Sequence, residues 1–199
     1  MKKIILFMSA VMVVALAVGA TGCTMHITMN PDVSAAGLAG KRIPGEITLF
    51  ADSEFENYHW YGFSDAELSK LDYELGFASK NLFFEAFKIA SNGVTVVEAM
   101  PTYTDSGRND LVLVVHPAIA GFNEKHSLWI RNADYYAEIT YHVTVYDKAG
   151  KIVLENDYSA RGVAMGGANV SRNYAAPAEK AMEQAIVTII DDIKKLREQ

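Results

Sequence analysis

The sequence predicts an α+β domain of two layers, with two amphipathic helices packed on a mostly antiparallel sheet. Three observations predict it. Apolar residues recur at helical spacing in two long segments, 64–92 and 173–199. The segment YYAEITYHVTVY (135–146) alternates apolar and polar residues, and after DKAG a second alternating run begins. Short β-branched or aromatic runs fill the intervals between these segments.

Before the domain comes a different kind of sequence. Met1-Lys2-Lys3 is a short positive start, Ile4–Val18 is apolar apart from Ser9, and small residues lead to Cys23, the only cysteine. These are the three parts of a secretory signal, predicted over residues 1–22. The bare pattern is also compatible with an uncleaved membrane helix, or with an ordinary signal and an incidental cysteine. Residues 24–45 hold Pro31, Pro44 and several small residues with no sustained period. They read as a flexible tether of about 25 Å root-mean-square span. The competing expectation is that His26 to Met29 adds an edge strand. A single domain is expected over 46–199.

Within the domain, EITLFAD (46–52) predicts the first strand. Ser64 and Glu67 have capping-box spacing. Leu68, Leu71, Leu75, Ala78, Leu82, Ala86 and Ile89 then follow at helical intervals until Asn92-Gly93. One helix is expected throughout. VTVVEAM (94–100) predicts a strand, and TYTDSGRND a polar loop. LVLVVHPAIAG (111–121) reads as a central strand that Pro117 ends or diverts. In 135–146, Ala137, Ile139, Tyr141, Val143 and Val145 share one face, and Glu138, Thr140, His142 and Thr144 the other. The return strand places Ile152, Leu154, Tyr158 and Ala160 together, making a hairpin with one wetted face. In the last helix Asn173 is the expected N-cap and Pro177 fits the first turn. Its buried stripe is Ala178, Ala181, Met182, Ala185, Ile189, Ile193 and Leu196. Lys194, Lys195 and Arg197 sit where the dipole favours cations.

ATGC (20–23) resembles the lipobox of bacterial lipoproteins, with Ala20 where that motif more often carries Leu. The resemblance implies that Cys23 becomes the mature N-terminus and carries acyl chains on sulfur and nitrogen. More than one chain is what stable anchoring requires. Thr24, in place of the Asp that usually marks inner-membrane retention, implies the outer membrane, facing the periplasm. The lipobox, the tether, the YHVTVYDKAGKIV hairpin and the APAEKAMEQAIVTIIDDI helix together resemble small outer-membrane accessory lipoproteins. These are the lipopolysaccharide-assembly, transport-auxiliary and peptidoglycan-synthase-activating kinds. No site residue can be carried over from them.

Composition excludes some classes. The net charge is −6, from 24 acidic and 18 basic residues, and removal of Lys2 and Lys3 with the signal makes it more negative. That argues against nucleic acid and against electrostatic adhesion to anionic lipid headgroups. One cysteine allows no intramolecular disulfide.

Chemistry-bearing patterns are few. His26, His59, His116, His126 and His142 show no metal-knuckle spacing. There is no G-x-S-x-G elbow. DSGRND (105–110) lacks the order of a calcium loop. RGVAMGGANVSRN (161–173) precedes a helix, but its glycines match no phosphate or dinucleotide fingerprint. No catalytic residue, metal or cofactor is assigned. The distinctive feature is aromatic: FENYHWYGF (55–63), with Phe83 and Phe87 on one helix face and Tyr135 and Tyr136 opening the hairpin. Most such aromatics belong to cores. The candidate partner or ligand surface is Tyr58, Trp60, Tyr61 and Tyr136. The expectation is a non-catalytic, lipid-anchored envelope accessory acting through protein contacts; the alternative is a periplasmic lipoprotein that holds a lipid, glycan or peptide.

Overall fold

A computed structural model describes residues 24–34, 37–63, 69–101, 112–125, 134–165 and 174–198. Residues 1–23 lie outside them, as do the Ser64/Glu67 capping box, the 105–110 loop, His126, the glycines at 166 and 167, and Asn173.

The domain is α+β, as the two periodicities predict. Its elements are β1 (Thr24–Ile27), β2 (Glu46–Phe50), α1 (Ser53–Glu56), β3 (Trp60–Phe63), β4 (Lys70–Tyr73), α2 (Leu75–Ala90), β5 (Gly93–Val97), β6 (Val112–Lys125), β7 (Asp134–Tyr146), β8 (Ile152–Met165) and α3 (Ala175–Arg197). Five strands form one sheet in the order β5-β2-β6-β7-β8, and three form a second, β1-β4-β3. The long β6–β7–β8 ladders are antiparallel. β2 pairs parallel with both β5 and β6. Parallel pairing needs a long crossover, and residues 51–92, carrying α1, β3, β4 and α2, supply it between β2 and β5.

One face of the large sheet and the apolar stripes of α2 and α3 make the core. Ile139, Tyr141, Val143 and Val145 from β7 meet Phe83, Phe87, Ile186, Ile189 and Ile190, all fully buried. Phe83 stands edge-on to both Tyr141 and Phe55. The Ser79 and Tyr141 hydroxyls, 2.8 Å apart, satisfy each other inside this apolar layer. The hairpin turns at Asp147, whose carboxylate accepts the N–H groups of Ala149 and Lys151, and Gly150 takes a left-handed φ of 75°.

Four elements differ from expectation. The helix expected over 64–92 begins only at Leu75, because Lys70–Tyr73 is β4, the centre of the small sheet. Leu71 and Tyr73 fit a strand's alternation as well as Leu71 and Leu75 fit a helix. Pairing on both edges decides the conformation. Ile89, placed in the buried stripe, is 43% exposed. Pro117 does not end β6, which runs on to Lys125 with a bulge between Ile119 and Gly121. The β2 ladder stops at Val115, so beyond it a residue without an N–H breaks no bond on that edge. Ile152 is exposed and Thr144 buried, the reverse of the hairpin pattern; the register shifts at Val145/Tyr146, next to Ile152.

The fourth difference is the tether. Thr24–Ile27 pairs parallel with β4, and Met29, Val33, Leu38 and Ile43 are buried in the main core cluster. This segment follows α3 from its first turn to its last. The Asn30 and Asp32 N–H groups donate to Glu179 and Glu183, Lys41 pairs with Asp191, and Lys194 donates to the Gly40 carbonyl. An extended strap buries residues at irregular intervals, so no sequence period announces it. α3 is thereby held between the sheet and the strap.

Candidate functional site

Strand alternation sorts the aromatic segment. Along β3, Trp60 and Gly62 turn inward while Tyr61 and Phe63 turn outward, and the outward pair is 68% and 63% exposed. Trp60 packs edge-on against Tyr73 and Phe122, with ring centroids 5.7 and 5.2 Å away. Its indole covers Gly62, where a Cβ would fall 2.1 Å from the ring. Tyr58 is half-buried against the core, and its carbonyl accepts the Gly76 N–H at the start of α2. Tyr58 and Trp60 are thus half-buried side chains packed at the core boundary. Tyr136 lies in β7 of the large sheet, directly across from Lys125 at the end of β6.

The outer face of the small sheet is built by register. Thr24, Lys70 and Phe63 form one row across β1, β4 and β3, and His26, Asp72 and Tyr61 form the next. Asp72, 5% exposed, uses both carboxylate oxygens on histidines: His26 Nδ1 at 2.9 Å and His59 Nδ1 at 2.8 Å. The His59 ring stacks on Tyr61. Sequence reasoning missed this cluster because Asp72 fell inside an expected helix, far in sequence from His26. Beneath it, the Tyr73 hydroxyl donates to Glu124 and lies 3.3 Å from the Tyr174 carbonyl, linking the small sheet to β6 and to the start of α3. Burial raises the Tyr73 phenol well above its ordinary range, and the Glu124 carboxylate adds to this.

The side of the hairpin turned away from the helices carries a second group. The Arg161 guanidinium sits 3.8 Å above the Tyr136 ring. Val163, directly across from Tyr136, is 40% exposed. Further along, His142 Nδ1 lies 2.7 Å from Asp157 and Nε2 lies 3.4 Å from Glu155. The hydrogen bond to Asp157 raises the His142 pKa, against a smaller opposing desolvation. Because the folded value is raised, the pair's contribution is complete below the ordinary histidine range and is lost as pH rises through the folded value. Both side chains are substantially exposed, so that contribution is small. Asp157→Asn is expected to bring His142 back toward the ordinary range, read from the His142 ring protons in an NMR titration.

His116 is paired with Asp52, 2.9 Å away, and stacks on Phe50. Burial raises the Asp52 pKa, but the Phe55 N–H and His116 outweigh it and the net direction is down. Every described histidine thus faces a carboxylate. No group of three or more His, Cys, Asp or Glu among the described residues is arranged to hold a metal. A groove of about 490 Å³ runs between strap and α3, lined by Asp32, Ser34, Glu183, Gln184 and Val187 among others.

No family model matches this chain, and no curated protein matches it in sequence. The fold has solved counterparts. A DUF330-family protein from Xanthomonas campestris superposes with a TM-score of 0.54 at 10% identity, covering 89% of this chain and 95% of its own. Uncharacterized lipoprotein B from Nitrosomonas europaea gives 0.46 at 8% identity, covering 87% and 94%. A minor lipoprotein from Acinetobacter baumannii gives 0.41 at 7% identity, covering 76% and 94%. At such identities the Xanthomonas structure shows a shared fold alone: this chain has the architecture of a DUF330-family protein over 95% of that protein's length.

Proposed function

We propose that this protein is a non-catalytic accessory of the bacterial cell envelope. In this reading it is lipid-anchored through Cys23 in the outer membrane, faces the periplasm, and acts through contact with another envelope protein. The observation that carries the contact is the group on the helix-free side of the hairpin, where Arg161 lies over Tyr136 beside the exposed Val163. Tyr and Arg are the side chains most enriched at interface centres, and a rigid strand pair presents them with little ordering cost. The lipobox supplies the anchor, and the titratable groups on the outer faces are spent on one another, His26, His59, His116 and His142 each on a carboxylate.

The test is a photo-crosslinking residue at position 163 of the full lipidated chain in its native cell. The expected result is recurrent capture of one identified envelope protein, lost in Arg161→Ala and Tyr136→Ala. Capture that ignores both substitutions, or none above background, would sink the reading.

A further inference from the structure

We infer that the outer face of the β1-β4-β3 sheet is seated on the lipid bilayer, with Phe63 and Tyr61 at headgroup level. The inference rests on the lipid anchor proposed above and adds to it the face that meets the membrane.

The argument starts from slack. Thr24 is the first residue of β1, so no linker separates Cys23 from the folded sheet. One peptide unit advances the chain by about 3.8 Å. An acylated Cys23 would therefore hold the Thr24 end of the small sheet at the membrane surface, unlike a domain on a loose tether. Register then says what else is at that height. Lys70 and Phe63 share the Thr24 row, and Tyr61 belongs to the next. Neighbouring strands are about 4.8 Å apart, so Phe63 is roughly 10 Å from Thr24.

The chemistry of these rows suits a bilayer interface. Two aromatic rings stand about two-thirds exposed on a regular strand, 68% for Tyr61 and 63% for Phe63. Tyr is enriched at headgroup level, and Phe belongs to the apolar face of interfacial segments. Lys70, in the row of Phe63, can lay its alkyl stem along apolar surface and keep its ammonium among phosphates. Asp72 is the one acidic residue in these three strands, and both of its oxygens are occupied by His26 and His59. Among the described residues of these three strands there is thus no other acidic side chain to oppose an anionic surface.

The experiment uses the full acylated chain, purified from membranes and reconstituted in phosphatidylethanolamine–phosphatidylglycerol vesicles. Acylation blocks the only native thiol, so Phe63→Cys, Tyr61→Cys or Ile152→Cys each offers one labelling site for an environment-sensitive fluorophore. All three positions are exposed, so the labels leave the core intact. Ile152, beside the β7–β8 turn, is the control. Labels at 63 and 61 are expected to shift to the blue on vesicles and to be quenched by lipid-borne nitroxide, while 152 is unaffected.

A chain anchored on vesicles with label 63 as wet as label 152 would overturn the inference and leave the anchor standing. Protection of label 63 from aqueous quencher without nitroxide quenching would assign the face to a protein contact, and would also overturn it. Mass measurement showing Cys23 unacylated would remove the anchor itself, and with it both readings.

Discussion

Replacing Gly162 with alanine is expected to cost about 3 kcal/mol of stability or more, at or beyond the upper end for overpacking a core. Gly162 lies in β8 under the first turns of α3. A Cβ there would meet the Pro177 carbonyl oxygen at 1.9 Å, the Ala181 nitrogen at 2.6 Å and the Lys180 Cβ at 2.8 Å. Two of these atoms are helix backbone and the third is the root of a side chain, so no flexible end can swing aside. The helix must lift instead. It cannot lift freely, because the strap holds its far side through Asn30–Glu179 and Asp32–Glu183. The surrounding residues suit this close approach: Ala178, Ala181 and Ala185 on α3 are buried and small. For a domain of this size each kcal/mol corresponds to about 2–4 °C in Tm. Thermal and urea unfolding of residues 24–199 would measure the loss. Gly121→Ala is the control, since a Cβ there has open space and the change should be nearly silent. Equal effects from the two variants would mean that α3 stands well clear of β8.

How far the sequence discloses this molecule depends on whether a residue's partner is local. The α3 stripe is legible because one face of one helix is buried along its length, and Ala178, Ala181, Met182, Ala185, Ile189 and Ile193 all lie inside. The β7–β8 pair is legible because a short turn makes its pairing local. β4 is not. Leu71 fits both periods, and what makes Lys70–Tyr73 a strand is pairing with β1 and β3, which composition does not announce. The candidate surfaces follow the same rule. The density of aromatics in 55–63 is visible at once, but their division into inward Trp60 and outward Tyr61 and Phe63 needs the β3 register. The His26–Asp72–His59 cluster needs all three strands. The Arg161–Tyr136 stack was half visible: Tyr136 stood out as an aromatic, and its cation comes from the opposite strand.

A chain cut at Glu46, where the sequence alone would start the domain, is expected to lose its cooperative fold, whereas a chain starting at Thr24 keeps it. The residues between belong to the structure. Ile27, Met29, Val33, Leu38 and Ile43 sit within the main apolar cluster, Ile43 with no exposure at all. The Ile43 N–H also donates to the Ala90 carbonyl at the end of α2, and the Asn92 N–H to the Gly45 carbonyl. Removing the segment bares an apolar strip along α3 and leaves one edge of β4 without its β1 partner. The scale can be read from one residue. Ile43→Ala in the longer chain should cost about 2–5 kcal/mol, against a total stability of about 5–15 kcal/mol for a domain of this kind. A freely moving tether would give no change. Urea unfolding of the 24–199 chain, of its Ile43→Ala variant and of the 46–199 chain separates the alternatives. If the shortest chain unfolds with the same midpoint and slope as the longest, the strap is an ornament on a domain complete without it. If it shows a shallow, non-cooperative transition, α3 depends on the strap, and the folded domain begins at Thr24, not at Glu46.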